Sequence, residues 1–236
     1  MIKLEDATAR YPNGTVALHE VSLSVGERNT AILGANGAGK TSLLRVLSGT
    51  LPIEAGTLTI SGSPVRRHNP RVALAHGTAH VPQGRELFPG LTVGQNLTLG
   101  GFTMRSQRHR VGERIQGVVE IFPRLGERMQ QKAGSLSGGE QQMLAIGRAL
   151  MSEPRHLMID ELSLGLAPMV TAQILEALAD LDRRTGCVVT LVEQETSQAL
   201  ATSEYCYVLR NGRIAWHGRS SDLESQGLAD LYLGDT

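Results

Sequence analysis

Gly34-Ala35-Asn36-Gly37-Ala38-Gly39-Lys40-Thr41 fits G-x-x-x-x-G-K-(S/T), the pattern of a P-loop. The apolar run Asn29-Thr30-Ala31-Ile32-Leu33 before it reads as a buried strand. Ser42 to Leu47 after it reads as a helix that Gly49 closes. In that strand-loop-helix order, Gly34, Gly37 and Gly39 let the backbone curl until its N–H groups face phosphate oxygens. The helix N-terminus adds its positive dipole end, and Lys40 adds a full charge for the β- and γ-phosphates. The Thr41 hydroxyl is left to hold Mg²⁺, beside Ser42. This stretch predicts a nucleoside triphosphate site.

The chain has 236 residues, within reach of one α/β domain with a substantial core. Lys plus Arg (23) balances Asp plus Glu (23), so no nucleic-acid footprint is expected. No apolar run approaches the ~20 residues that cross a bilayer, and Met1 to Asp6 reads as a strand rather than a signal peptide. A cytoplasmic location follows as the expectation, with any membrane contact made through a partner. Cys187 and Cys206 lie in apolar runs and read as core thiols.

Ile2 to Arg10 and Leu18 to Val25 alternate as half-buried strands do, turned by Pro12-Asn13-Gly14. Tyr11 falls at that turn. Phe, Trp and Tyr total only eight, so a tyrosine ahead of a P-loop is a candidate for stacking on the base. Gly56 to Ile60 is the next strand, and another ends at His80-Val81-Pro82. His76 and His80 have i, i+4 spacing, but Gly77 and Thr78 argue against a helix, and they read as loop histidines without a metal role. From Leu91 to about Leu150 the signal is helical, including Ser106 to Phe122. Ser137 and Glu140 form a capping-box pattern opening another helix. Strands resume at Leu157-Met158-Ile159-Asp160, Cys187 to Val192, Tyr205 to Leu209 and Arg213 to Trp216. Asn211-Gly212 turns the last pair, and one helix spans Pro168 to about Arg184.

Asp160 puts a carboxylate at the C-terminal edge of a strand, where α/β sheets bind ligands, and suits support of Mg²⁺. Glu161 follows and can polarise an attacking water. Together with Leu136-Ser137-Gly138-Gly139-Glu140, these residues resemble the ATP-binding cassette (ABC) ATPases over essentially the whole chain. The resemblance implies an α/β fold: a P-loop NTPase core with an antiparallel β subdomain and an inserted helical subdomain. It divides the single domain 1–236 into a nucleotide-binding core, 1–83 and 151–236, and a helical part, about 84–150. It implies ATP and Mg²⁺ as cofactors and Glu161 as the catalytic carboxylate. Gln83 reaches the metal and water, Tyr11 stacks on adenine, and Ser137, Gly138 and Gly139 meet the nucleotide of an opposing subunit. The implied partners are a second ABC ATPase subunit, transmembrane permease subunits and, indirectly, a substrate-binding protein.

Two positions depart from that pattern. Gln194 stands where the family usually has a histidine; it can donate a hydrogen bond to a γ-phosphate but cannot carry positive charge. Leu162 stands where a proline usually follows the Asp-Glu pair, so modest loosening of that loop is expected. Val192-Glu193-Gln194, Phe122-Pro123-Arg124-Leu125, Ser163 to Pro168 and Tyr232-Leu233-Gly234 resemble the second ATPase subunit of branched-chain amino-acid importers. The loop Arg85 to Gly90 also resembles urea importers. It contains a Leu87-Phe88 pair that either meets the permeases or packs inward. A soluble cassette of DNA repair or translation is disfavoured by the missing coiled coil, the single P-loop and the neutral charge.

Overall fold

The computed structural model describes residues 1–65, 68–102, 109–194 and 196–226. Its strands are β1 (Ile2–Arg10), β2 (Val16–Val25), β3 (Thr30–Leu33), β4 (Ile53–Ile60), β5 (Ser63–Pro64), β6 (Thr78–Val81), β7 (His156–Asp160), β8 (Val188–Glu193), β9 (Tyr205–Arg210) and β10 (Arg213–Arg219). Its helices are α1 (Lys40–Leu47), α2 (Pro70–Ala75), α3 (Val93–Gly100), α4 (Val111–Ile121), α5 (Pro123–Glu127), α6 (Gly138–Leu150), α7 (Pro168–Ala179), α8 (Leu181–Thr185), α9 (Thr196–Ala201) and α10 (Ser220–Gln226).

One sheet is antiparallel, in the order β2-β1-β4-β5. The other runs β10-β9-β3-β8-β7-β6, parallel throughout except for β10. Period-2 alternation in its central strands feeds two cores. Ala31, Leu33, Leu157, Ile159, Val189, Leu191, Cys206 and Val208 face one core, with the helices α3 to α6. Ile32, Met158, Val192, Tyr207 and Leu209 face the other, with α1 and the antiparallel sheet. Because β3, β8, β7 and β6 are parallel neighbours, their C-terminal ends share one edge. The P-loop, Glu193-Gln194, Asp160-Glu161 and Gln83 leave that edge in order.

The region between β6 and β7 holds α3 to α6, with a 3-10 turn, Ala133–Ser135, just before α6. The capping box at Ser137 forms in full: Ser137 Oγ accepts from the Glu140 N–H (3.3 Å), and Glu140 Oε2 accepts from the Ser137 N–H (2.9 Å). Asn211-Gly212 makes the expected hairpin, and the Gly212 N–H donates to the Ala38 carbonyl, tying that turn to the P-loop. Cys187 and Cys206 are buried free thiols, with burial pushing them up to about 12 and about 11.

Several expectations change. The helix from Pro168 is two helices, broken at Asp180, and Gly186 in the left-handed region ends the second (φ 69°). β4 starts at Ile53 rather than Gly56, because pairing with β1 continues to Ala9↔Ile53 past an irregular register. His80 lies within β6 rather than in a loop; burial, with the Arg45 charge second, depresses it to about 4. Among the described residues no cluster suits a metal made of His, Cys, Asp and Glu alone. In the predicted helix from Ser106, α4 begins at Val111, and residues 103–108 lie outside the described residues, as does Tyr232-Leu233-Gly234.

Candidate nucleotide site

The P-loop bends as its glycines require. Gly39 caps α1 with φ 105°, in the region that L side chains avoid, and an added Cβ would stand 2.9 Å from the Ala17 carbonyl oxygen. A Cβ on Gly34 would stand 2.4 Å from the Leu209 carbonyl oxygen. Ala35, Asn36 and Gly37 form the exposed tip, and Ala38 is buried beneath it. Lys40 is buried, and its Nζ donates to the carbonyl oxygens of Gly34 (2.7 Å) and Ala35 (3.1 Å). Burial lowers its pKa, while Glu161, Asp160 and Glu193 hold it up, so three carboxylates surround this ammonium.

Asp160 ends β7 and is 1% exposed, with no hydrogen-bond partner on either oxygen. The Thr41 hydroxyl faces it and favours its charged form without reaching hydrogen-bond geometry. Burial dominates and raises the carboxyl above its usual range. A buried, unpartnered carboxylate facing a hydroxyl is an incomplete set of hard oxygen donors, and it fits Mg²⁺. Gln83 is exposed, and its Nε2 donates to Glu161 Oε2 (2.6 Å), joining the end of β6 to the end of β7. Glu161 occupies the left-handed region (φ 48°).

Tyr11 is half-buried against the core beside α1. Its hydroxyl pairs with Ser42 Oγ (3.0 Å) and accepts from Arg45 Nη1 (3.2 Å), so the tyrosine is tied directly to the P-loop helix. Gln194 is exposed at the end of β8. Ser137, Gly138 and Gly139 stand apart from this group. Their helix α6 packs on α3, α5, α7 and β6, whereas α1 packs on β1, β2 and β7. Around the turn itself lie Arg85, Leu166 and Val170.

Sequence reasoning assigned no role to Arg85, Arg148 or Glu193. Gly84, Arg85 and Glu86 all have positive φ (87°, 67° and 45°). Arg85 donates to Gln141 Oε1 (3.0 Å) and Gln142 Oε1 (3.2 Å), while Arg148 Nη1 donates to the Glu86 carbonyl (2.7 Å). These bonds fasten the loop after Gln83 to α6, and nothing in local sequence spacing signals them. In the Leu87-Phe88 pair, Leu87 packs toward the core and Phe88 is 50% exposed.

An ABC transporter family model matches residues 18–163. The chain is 45% identical over 232 residues to the high-affinity branched-chain amino acid transport ATP-binding protein BraG of Pseudomonas aeruginosa. The alignment spans 97% of this chain and 98% of that one. The chain belongs to the ABC transporter ATPases. A probable branched-chain amino acid transport ATP-binding protein, LivF of Archaeoglobus fulgidus, is 34% identical over 206 residues, covering 87% of this chain and 86% of its own. A solved ATP-binding cassette of an ABC transporter in its ADP conformation superposes with a TM-score of 0.84 at 26% identity, covering 100% and 99% of the two chains. As a member of this family, the cassette binds ATP and hydrolyses it. No described helix is long and apolar enough to cross a membrane.

Proposed function

We propose that this cassette is the energy-coupling ATPase of an importer for branched-chain or related amino acids. The observation that carries the reading is an LSGGE turn that stands apart from the P-loop, on a helix packed against other elements than the P-loop helix, in a chain 45% identical to a branched-chain amino acid transport ATPase. Residues 1–83 and 151–236 make the nucleotide-binding core, and 84–150 the helical part. Gly34 to Ser42 hold the phosphates, and Tyr11 stacks on adenine. Mg²⁺ would be held by Thr41 and Asp160 with Gln83 near, and would supply charge neutralisation on the transferring phosphoryl group. Glu161 polarises the attacking water and Gln194 donates to the γ-phosphate. Ser137, Gly138 and Gly139, at a helix N-terminus, meet the nucleotide of a second cassette. ATP then closes a dimer and hydrolysis reopens it.

The permeases would dock at the end of a groove of about 1330 Å³ where His80, Phe88, Leu99, Phe102 and Arg148 line it, away from Tyr11. Phe88 and Phe102, 50% and 56% exposed, suit an apolar helix end there. The cassette would sit on the cytoplasmic face of the membrane, indirectly served by a substrate-binding protein. Purifying the tagged chain from gently solubilised membranes tests the reading. Two permeases with a second cassette, and leucine uptake rather than urea uptake, are expected. A soluble complex without permeases would overturn it.

A further inference from the structure

Glu193 ends β8 and is 3% exposed, between the P-loop strand β3 and the Asp160 strand β7. Ser163 engages both oxygens of the Glu193 carboxylate: Oε1 accepts from the Ser163 N–H (3.0 Å) and Oε2 from the Ser163 hydroxyl (2.7 Å), with the Gln194 backbone as a further donor. Ser163 lies two residues beyond Glu161. Glu161 sits in the left-handed region (φ 48°), a conformation that persists for a non-glycine residue only when its surroundings overdetermine it. Three attachments do so. The Glu161 N–H donates to the Val192 carbonyl (2.9 Å), Leu162 is wholly buried, and Ser163 is gripped from two sides by Glu193. Leu162, which stands where the family usually has a proline, is anchored by burial and by the bonds beside it. Beyond the clamp Leu164 is 57% exposed.

We propose that Glu193, acting through Ser163, is a positioning residue that holds Glu161 in its water-polarising orientation and fixes the loop leading to exposed Leu164. The inference rests on Glu161 as that carboxylate. Burial raises the Glu193 carboxyl, and the two Ser163 donors oppose that rise, as a carboxylate built into such a clamp requires. The clamp is expected to act on turnover, and Ser163 is the cleaner probe of it, because Glu193 also helps to hold up the Lys40 charge.

The test is steady-state ATP hydrolysis by the full-length chain, in the assembly it purifies with, well below the melting temperature. Ser163→Ala is expected to lower kcat about tenfold and leave KM for ATP within about twofold. Ser163→Thr, which keeps the hydroxyl, is expected to restore turnover. Ser163→Ala removes the hydroxyl bond and keeps the N–H bond, so combining it with Glu193→Gln is expected to lose less than the sum of the two single losses. A kcat within about twofold of wild type in Ser163→Ala, or additive losses in the double variant, would overturn the clamp alone. Normal turnover in Glu161→Gln, measured alongside, would overturn both the clamp and the assignment of Glu161.

Discussion

The phosphate edge and the LSGGE turn both present helix N-termini, yet they are built differently. At the edge, Lys40 and Asp160 are buried, and Gln83 and Glu161 already touch across two strands. The turn is exposed at Ser137, whose N–H and hydroxyl are engaged in its own capping box, while Glu140 also pairs with Arg128. A buried set of charges is costly unless a ligand completes it, and the proposed Mg²⁺ and phosphate would do so at the edge. An exposed, capped turn is stable without a ligand and is free to meet one from another molecule. In the proposed dimer each chain supplies the P-loop side of one pocket and the LSGGE side of the other.

The largest effect that would sharpen this contrast is in Glu161→Gln. Turnover is expected to fall about 10²–10³-fold, with ATP still bound and ATP-stabilised dimers accumulating, read by phosphate release and gel filtration. Lys40→Ala comes next. Losing charge-assisted bonds worth about 1.5–3 kcal/mol weakens ATP binding roughly 10–100-fold, and a titration with normal affinity would remove Lys40 from the pocket. Ser137→Ala separates the two regions directly. Nucleotide affinity of the isolated chain should stay unchanged while turnover drops severalfold, and loss of the cap should cost about 1 kcal/mol of stability. Weaker binding to the isolated chain would break the comparison, because it would put Ser137 in the pocket of its own P-loop.

The smallest effect belongs to the opposite end of β7, where His156 is buried and pairs with Thr190 Oγ1 (2.7 Å). Burial depresses it to about 3 from 6.5, so the unfolded chain takes up the proton first as pH falls. Its contribution is fully present above pH 6.5 and is lost progressively toward about 3. Between pH 6.5 and about 5 the loss approaches about 2 kcal/mol in urea unfolding, and His156→Gln should flatten it. Asp160 and Glu193 act with the opposite sign, since burial raises them and the folded state binds their protons first. A slope that His156→Gln leaves intact would move the acid sensitivity elsewhere.

Much of this was legible before any coordinates. The P-loop, the Asp160-Glu161 pair, the Ser137 box and the Asn211-Gly212 turn are recognisable because each is made by residues a few positions apart. The misses are of another kind. His80, read at a strand end and as a loop histidine, lies instead inside β6, which pairs with β7 from far along the chain. The single helix expected from Pro168 breaks at Asp180 although its apolar spacing runs on. Glu193 was visible only as the neighbour of Gln194, since its partner Ser163 lies 30 residues away.

Sequence alone determined the nucleotide chemistry, the family, and the local turns and caps, because those depend on backbone freedom and on side chains that reach only their near neighbours. The tertiary structure decided how the ends of β3, β8, β7 and β6 share one edge, and which carboxylate stays unpartnered while its neighbour grips Ser163. That outcome depends on strand order and burial, and these arise only when segments remote in sequence pack together.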